Sequence, residues 1–216
     1  MSNFGVRHLA LVNPYRVAFR EARSAVGASA VLTSAREFPS VAEAVADCSL
    51  VVGTTAVGNR ALEHPLRQLN DQSASIIHTA MQSGRVALLF GSEKIGLTNE
   101  DFTHCHWLLN IPTHEQHISM NLGQAVAVCL FGFARSVGDV VTVDGEPAAA
   151  GEVEKITQNL YAALKISGYV KPGNDRVSEN KVRRLVLRLN LQAMDAKVFL
   201  AMLRQIVWKL RQPGES

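Results

Sequence analysis

No apolar run in this chain approaches the length of a membrane helix: the longest, residues 125–134, falls well short of the roughly 18 residues such a span requires. No charged-then-apolar leader occupies residues 1–12, so the expectation is a soluble, cytoplasmic protein. Cysteine is scarce. Cys48, Cys105 and Cys129 are an odd number without close pair spacing, which argues against a disulfide framework and for reduced, mostly buried thiols. There is no internal repeat, which argues against a solenoid. What remains is an ordinary globular composition, 47% hydrophobic over 216 residues, enough for one good core and a small appendage.

The charge is unevenly placed. Residues 176–211 hold nine Lys or Arg against two acids, a local +7 within a chain total of +3, so the rest carries −4. A basic attachment on a mildly acidic body suggests a polyanionic partner, although a solvated helical face would have the same composition. Through residue 138 strand and helix patterns alternate: a strand at 8–12, a helix at 17–26, a strand at 50–53, a helical stretch between 59 and 82, strands at 86–90 and 107–111, and an apolar helix at 122–137. That order predicts an α/β domain, about residues 1–145, with a mainly parallel sheet covered on both faces. Residues 140–151, with Asp-Gly, Pro and small side chains, read as a linker. Beyond it Val153, Ile156, Leu160 and Leu164 recur at helical spacing, as do Val182, Leu185 and Leu189, then Val198, Leu203 and Ile206, so residues 146–216 form a small helical extension.

Most of the chemistry concentrates in residues 88–121, where two apolar strands each end in a polar loop, the position at which open α/β sheets bind ligands. Gly91 lets the first loop turn sharply, and Glu93 stands at that strand's exit. Thr98 or Asn99 is placed to cap a short helix whose first turn carries Glu100 and Asp101. The second strand ends at Pro112, and Ser119 and Asn121 sit at the mouth of the following helix, where they could serve as no more than a cap.

These blocks resemble the SpoU/TrmH branch of the SPOUT RNA methyltransferases, and within it the TrmJ-like tRNA 2′-O-methyltransferases. Residues 90–101, FGSEKIGLTNED, look like the family's second motif, and NIPTH with SMNLGQAVAV, within residues 110–128, looks like its third. CSLVVGTTA at 48–56 is similar to the strand and loop the family also places around its cofactor, and the likeness covers nearly the whole chain. The resemblance implies an α/β knot, a deep trefoil unlike the usual unknotted fold. It also implies a homodimer packed through the 122–137 helix and transfer of a methyl group from S-adenosylmethionine to a ribose 2′-hydroxyl without a metal. By motif position the cofactor contacts fall in three loops. Thr54, Thr55 and Ala56 form the first; Phe90, Gly91, Ser92, Gly96 and Leu97 the second; Ile111, Pro112, Ser119, Met120 and Leu122 the third. Glu93, Ser119 and Asn121 are the polar groups nearest the reacting centre. The RNA is tRNA by resemblance, at its anticodon loop, with ribosomal RNA the runner-up. His114 and His117 of the third loop are placed to touch it. So are Lys181, Arg184 and Arg188 of an NKVRRL stretch at 180–185 and beyond, whose spacing puts them on one helical face.

The front departs from the family. Residues 3–14 match the stretch that lies after the family's opening strand and N-x-G-x-x-x-R helix, so that first motif and its Arg have no counterpart here. A start assigned too far downstream, a trimmed front and a natural loss each account for this. Without that strand the sheet is expected to rearrange or to have its gap covered by a partner chain. A protein that keeps the fold and binds RNA or cofactor without transferring methyl is therefore the second expectation. A metal-dependent hydrolase is a remote third, since His104, Cys105, His106, His114 and His117 crowd together. However, HEQH at 114–117 is not the HExxH helix motif, and Pro112 interrupts any helix there.

Overall fold

A computed structural model describes residues 1–14, 29–56, 63–114, 116, 118–135, 145–171 and 173–212. Its elements are β1 (Ala10–Val12), α1 (Ser29–Thr33), β2 (Arg36–Phe38), α2 (Val41–Ala44), β3 (Cys48–Thr54), β4 (Leu66–Gln68), α3 (Asp71–Ser83), β5 (Arg85–Leu89), α4 (Asn99–Phe102), β6 (Trp107–Asn110) and α5 (Leu122–Arg135). Three longer helices follow, α6 (Ala150–Ile166), α7 (Asp175–Arg188) and α8 (Ala193–Arg211). No helix among the described residues is long and apolar enough to cross a membrane.

Every pairing between these strands is parallel. The main sheet runs β4-β6-β3-β5, and β1 pairs only with β2. Because successive side chains of a strand point to opposite faces, the apolar runs divide between two cores. Val51, Leu108 and Leu89 pack on one face with Phe102 and Cys105, while Val52, Leu109 and Leu88 pack on the other with Ile77, Cys129 and Phe133. Both faces are thus covered, by α2, α4 and α6 on one side and by α3 and α5 on the other. All three cysteines are free and buried. Burial, reinforced by Asp47, pushes the Cys48 thiol up to about 11, and burial takes Cys105 and Cys129 to about 12, so none is poised as a thiolate nucleophile.

Several expectations shift. The strand expected at 8–12 is Ala10–Val12, and it pairs with β2, a strand that the sequence pattern does not reveal. The helix expected at 17–26 lies outside the described residues. Of the helical stretch expected between 59 and 82, the described residues 63–82 form β4 before any helix, and its three side chains are all exposed and so give no hydrophobic pattern. α3 begins only at Asp71, where Asn70 accepts from the Ser73 amide and the Ser73 hydroxyl accepts from the Asn70 amide. At α4 the cap is Thr98, paired reciprocally with Asp101.

The C-terminal helices dock on the sheet through α6. Its first turn is tied to the main body where the Gly151 amide donates to Ala46 O at 2.8 Å. α7 and α8 both pack on α6 and scarcely touch each other. Consequently α7 buries Val182 and Val186 but leaves Leu185 48% and Leu189 49% exposed, and α8 buries Ala196, Leu203 and Val207 but leaves Val198 54% and Ile206 48% exposed. Helical spacing predicted the helices; it did not predict which side each would cover.

Candidate active site

Parallel strands bring their carboxyl ends to one edge of the sheet, and here three loops emerge together from β3, β5 and β6. They are cross-tied. Thr54 Oγ1 donates to Leu89 O at 2.8 Å, joining the first loop to β5. The Thr55 amide donates to Leu109 O at 2.9 Å, and Asn110 Nδ2 donates to Thr55 O at 3.1 Å, joining it to β6. Asn110 opens the NIPTH block but is not among the expected contacts, since a lone Asn at a strand end gives no periodic signal. Gly53, inside the 48–56 block, is not among them either. A Cβ at Gly53 would stand 2.8 Å from Cys105 Sγ and 3.0 Å from the Leu108 side chain, so glycine lets β3 lie close against the segment between α4 and β6.

The second loop folds back on itself. The Gly96 amide donates to Ser92 O at 2.8 Å, and Gly96 adopts a φ of 70°, a conformation glycine takes without strain. This return brings the Gly96–Leu97 backbone onto Gly91 so closely that a side chain at 91 would occupy the same space. Leu97 plugs into the core at 7% exposure, whereas a Cβ on Gly96 would meet only open space. Phe90 and Ile111 pack partly buried on the Val52–Leu109 side of the sheet. Ala56, Ser92, Pro112 and Ser119 are exposed, and Met120 and Leu122 are half-buried.

A side-chain contact links the second loop to the third: Asn121 Nδ2 donates to Glu93 Oε1 at 3.0 Å. Asn121 Oδ1 meanwhile accepts from the Gly123 amide at 2.9 Å at the start of α5. Asn121 is therefore a helix cap and a carboxylate clamp at once. Its amide serves both because its oxygen accepts while its nitrogen donates.

The remaining expected residues are scattered. His114 is exposed, its Nδ1 accepting from the Gln116 amide, and His117 lies outside the described residues. His106 Nδ1 accepts from the Val51 amide at 3.1 Å, and His104 lies across from Arg183 and Glu154. Among the described residues no set of three or more His, Cys, Asp or Glu converges as a metal site. On α7, Lys181 and Arg188 are exposed, but Arg184 pairs with Glu63 at 2.6 Å and its side chain is only 19% exposed. Its neighbour Arg183 is buried, held by both oxygens of Glu154 at 2.8 and 2.9 Å and by Glu179 at 2.8 Å. One arginine of the doublet thus joins α7 to α6, the other joins α7 to the segment before β4, and Arg176 adds a pair to Glu100 of α4.

Comparison with known proteins agrees with this architecture. A curated tRNA (cytidine/uridine-2′-O-)-methyltransferase TrmJ of Klebsiella pneumoniae is 31% identical over 217 residues, spanning 95% of this chain and 87% of that protein. The TrmJ of Sodalis glossinidius is 30% identical over 95% of this chain and 83% of that protein. Among solved structures, TrmJ from Z. mobilis ZM4 superimposes with a TM-score of 0.83 at 32% identity, over 95% of this chain and 89% of that one. A probable methylase family protein from Haemophilus influenzae follows with a TM-score of 0.57 at 26% identity, over 97% and 88%. The model of the SpoU rRNA Methylase family matches residues 1–131, and with a sheet of parallel strands covered on both faces and three loops gathered at its carboxyl edge, this chain belongs to that family.

Proposed function

We propose that the protein transfers a methyl group from S-adenosylmethionine to a ribose 2′-hydroxyl of tRNA, with the loops at 54–56, 90–97 and 111–122 forming the site. The observation that carries this reading is the Glu93–Asn121 hydrogen bond, which fixes a carboxylate between the second and third loops, with Asn121 two residues along the chain from exposed Ser119. The site suits a nucleoside-like donor. The second loop brings its backbone close at Gly91, and the space beside Gly96 is open. When bound, S-adenosylmethionine supplies an electrophilic methyl on a sulfonium.

The protein's own part is alignment. A ribose hydroxyl is a weak acid, so the loops must hold it in line and accept its proton's hydrogen bond as the new bond forms. Glu93 has one oxygen engaged by Asn121, and its other oxygen has no hydrogen-bond partner among the described residues, so it is free to accept from the ribose. Ser119, at the same mouth, supplies a second hydroxyl contact. The trefoil knot belongs to this proposal, as do a catalytic domain at 1–145 and a homodimer. α5 exposes Phe131 at 57% and Val128 at 36%, and α3 exposes Met81 at 60%, an apolar surface that a second copy would cover.

Labelled methyl transfer to undermodified tRNA, with nuclease mapping of the product, tests the reading. Asn121→Asp separates its parts, because Asp retains the cap acceptor for Gly123 but sets a second carboxylate against Glu93. Near-wild-type stability with at least a tenfold loss of transfer is expected. Full activity in this variant would remove the clamp from the mechanism, and no transfer by the folded wild-type chain would favour a binding protein.

A further inference from the structure

We infer that α8 grips the RNA, with Lys197, Arg204 and Arg211 following phosphates and Trp208 stacking on an unpaired base. The inference rests on the RNA-modifying reading above and names the element that holds the substrate. It begins with a census of cations. On α7, Arg176, Arg183 and Arg184 are all committed to carboxylates, leaving Lys181 and Arg188. On α8 the balance is reversed: Lys197, Arg204, Lys209 and Arg211 are all exposed, and none has an ion pair among the described residues. Asp195 is the single acid of that helix.

Geometry aligns them. Residues seven apart on an α-helix are separated by about 10.5 Å along the axis and by only about 20° around it. Lys197, Arg204 and Arg211 therefore form a nearly straight ridge, and Trp208, four residues after Arg204 and three before Arg211, belongs to the same strip. Leu203 and Val207, on the adjoining flank of the helix, are buried against the body, while all four residues of the ridge are exposed beside that seam. α6 and α8 start side by side, where the Ala148 amide donates to Leu191 O and the Ala193 amide to Glu146 O. The far end of α6 meets α7 through Lys165–Asp175, next to the Arg176 pair with Glu100 of α4, which follows the second loop. The Trp208 half of α8 thus points toward the loop end of the extension.

Trp208 is 54% exposed, whereas Trp107 is 6% exposed within the core. An open indole between two guanidinium groups is a stacking platform for bases, and a base can reach it only when it has left a duplex. The ligand class is therefore a loop or single-stranded segment. The neighbouring stripe of Met194, Val198, Met202 and Ile206 is also exposed and would suit a partner helix. The unpaired cations beside it favour a polyanion.

Trp208 makes its own reporter. A tRNA transcript should quench and shift its emission, with Trp208→Phe supplying the Trp107 background. Trp208→Ala should weaken binding to the transcript about tenfold while leaving binding to a blunt RNA duplex unchanged, and Trp208→Phe should retain most of the affinity. Neutralising Lys197, Arg204 and Arg211 together should reduce the slope of log K against log salt by about 2 to 3. Met202→Ser should change neither. If the wild type methylates tRNA while the α8 variants bind it undiminished, the inference falls and the functional reading stands. If Trp208 responds to RNA in a folded chain that transfers no methyl, the reading falls and the inference stands. A silent Trp208, with transcript affinity and salt slope unchanged in the ridge variants, would overturn the inference and leave the apolar stripe to a protein partner.

Discussion

Gly91 shows how a single residue can be fixed by the return of its own loop. The Gly96–Leu97 backbone lies where a Cβ would go, so Gly91→Ala must pry the second loop open. The expected result is at least a tenfold loss of S-adenosylmethionine affinity, equivalent to about 1.4 kcal/mol, in titration calorimetry. Unchanged affinity would remove this loop from the cofactor site. Part of this was legible in the sequence, since a glycine directly after an apolar run and before a charged loop marks a close backbone approach. The Arg183–Arg184 doublet was not. Two identical neighbours differ by about 100° around a helix, and only the packing of α7 on α6 decides which is buried and which reaches Glu63.

At the scale of elements, α7 is held by ion pairs of two kinds. Exposed pairs such as Arg176–Glu100 contribute little and weaken with salt. Arg183–Glu154 is different, with side chains only 9% and 18% exposed. Burial alone would raise the Glu154 carboxyl, yet the hydrogen bonds and charge of Arg183 outweigh it and hold it below the usual range. Arg183→Leu leaves that carboxylate buried without its cation and should cost about 3 kcal/mol in urea denaturation, with part of the loss recovered by adding Glu154→Leu. A loss below about 1 kcal/mol would show that the extension stays docked without this pair. The sequence foretold β3, β5, β6, α5 and three C-terminal helices because their apolar runs are long or periodic. β4 was hidden because three exposed residues carry no pattern, and the pairing of β1 with β2 because register between distant strands is set by the whole fold.

Across the whole molecule, His64, His104 and His106 are all held below the ordinary imidazole range, chiefly because burial disfavours the charged ring. Arg184 adds to this at His64 and Arg183 at His104. Each takes up a proton more readily when unfolded, near pH 6.5, than when folded. Their contribution to stability is therefore complete above about pH 6.5 and is lost as pH falls through the lower folded values. Thermal melts at constant ionic strength should show a midpoint that declines below about pH 6.5. His106→Asn, whose side-chain oxygen can accept from the Val51 amide, should flatten part of that decline. An unchanged slope in this variant would mean that His106 is not among the groups responsible. The strand order has a kinetic consequence as well. No strand of the β4-β6-β3-β5 sheet lies beside its immediate predecessor in the chain, so every pairing must close a long loop before any ladder bond repays the lost entropy. The C-terminal helices, whose own backbone hydrogen bonds span only four residues each, can form while the sheet is still searching. The three loops at the carboxyl edge, which need β3, β5 and β6 all in place, are then among the last parts of the molecule to acquire their shape.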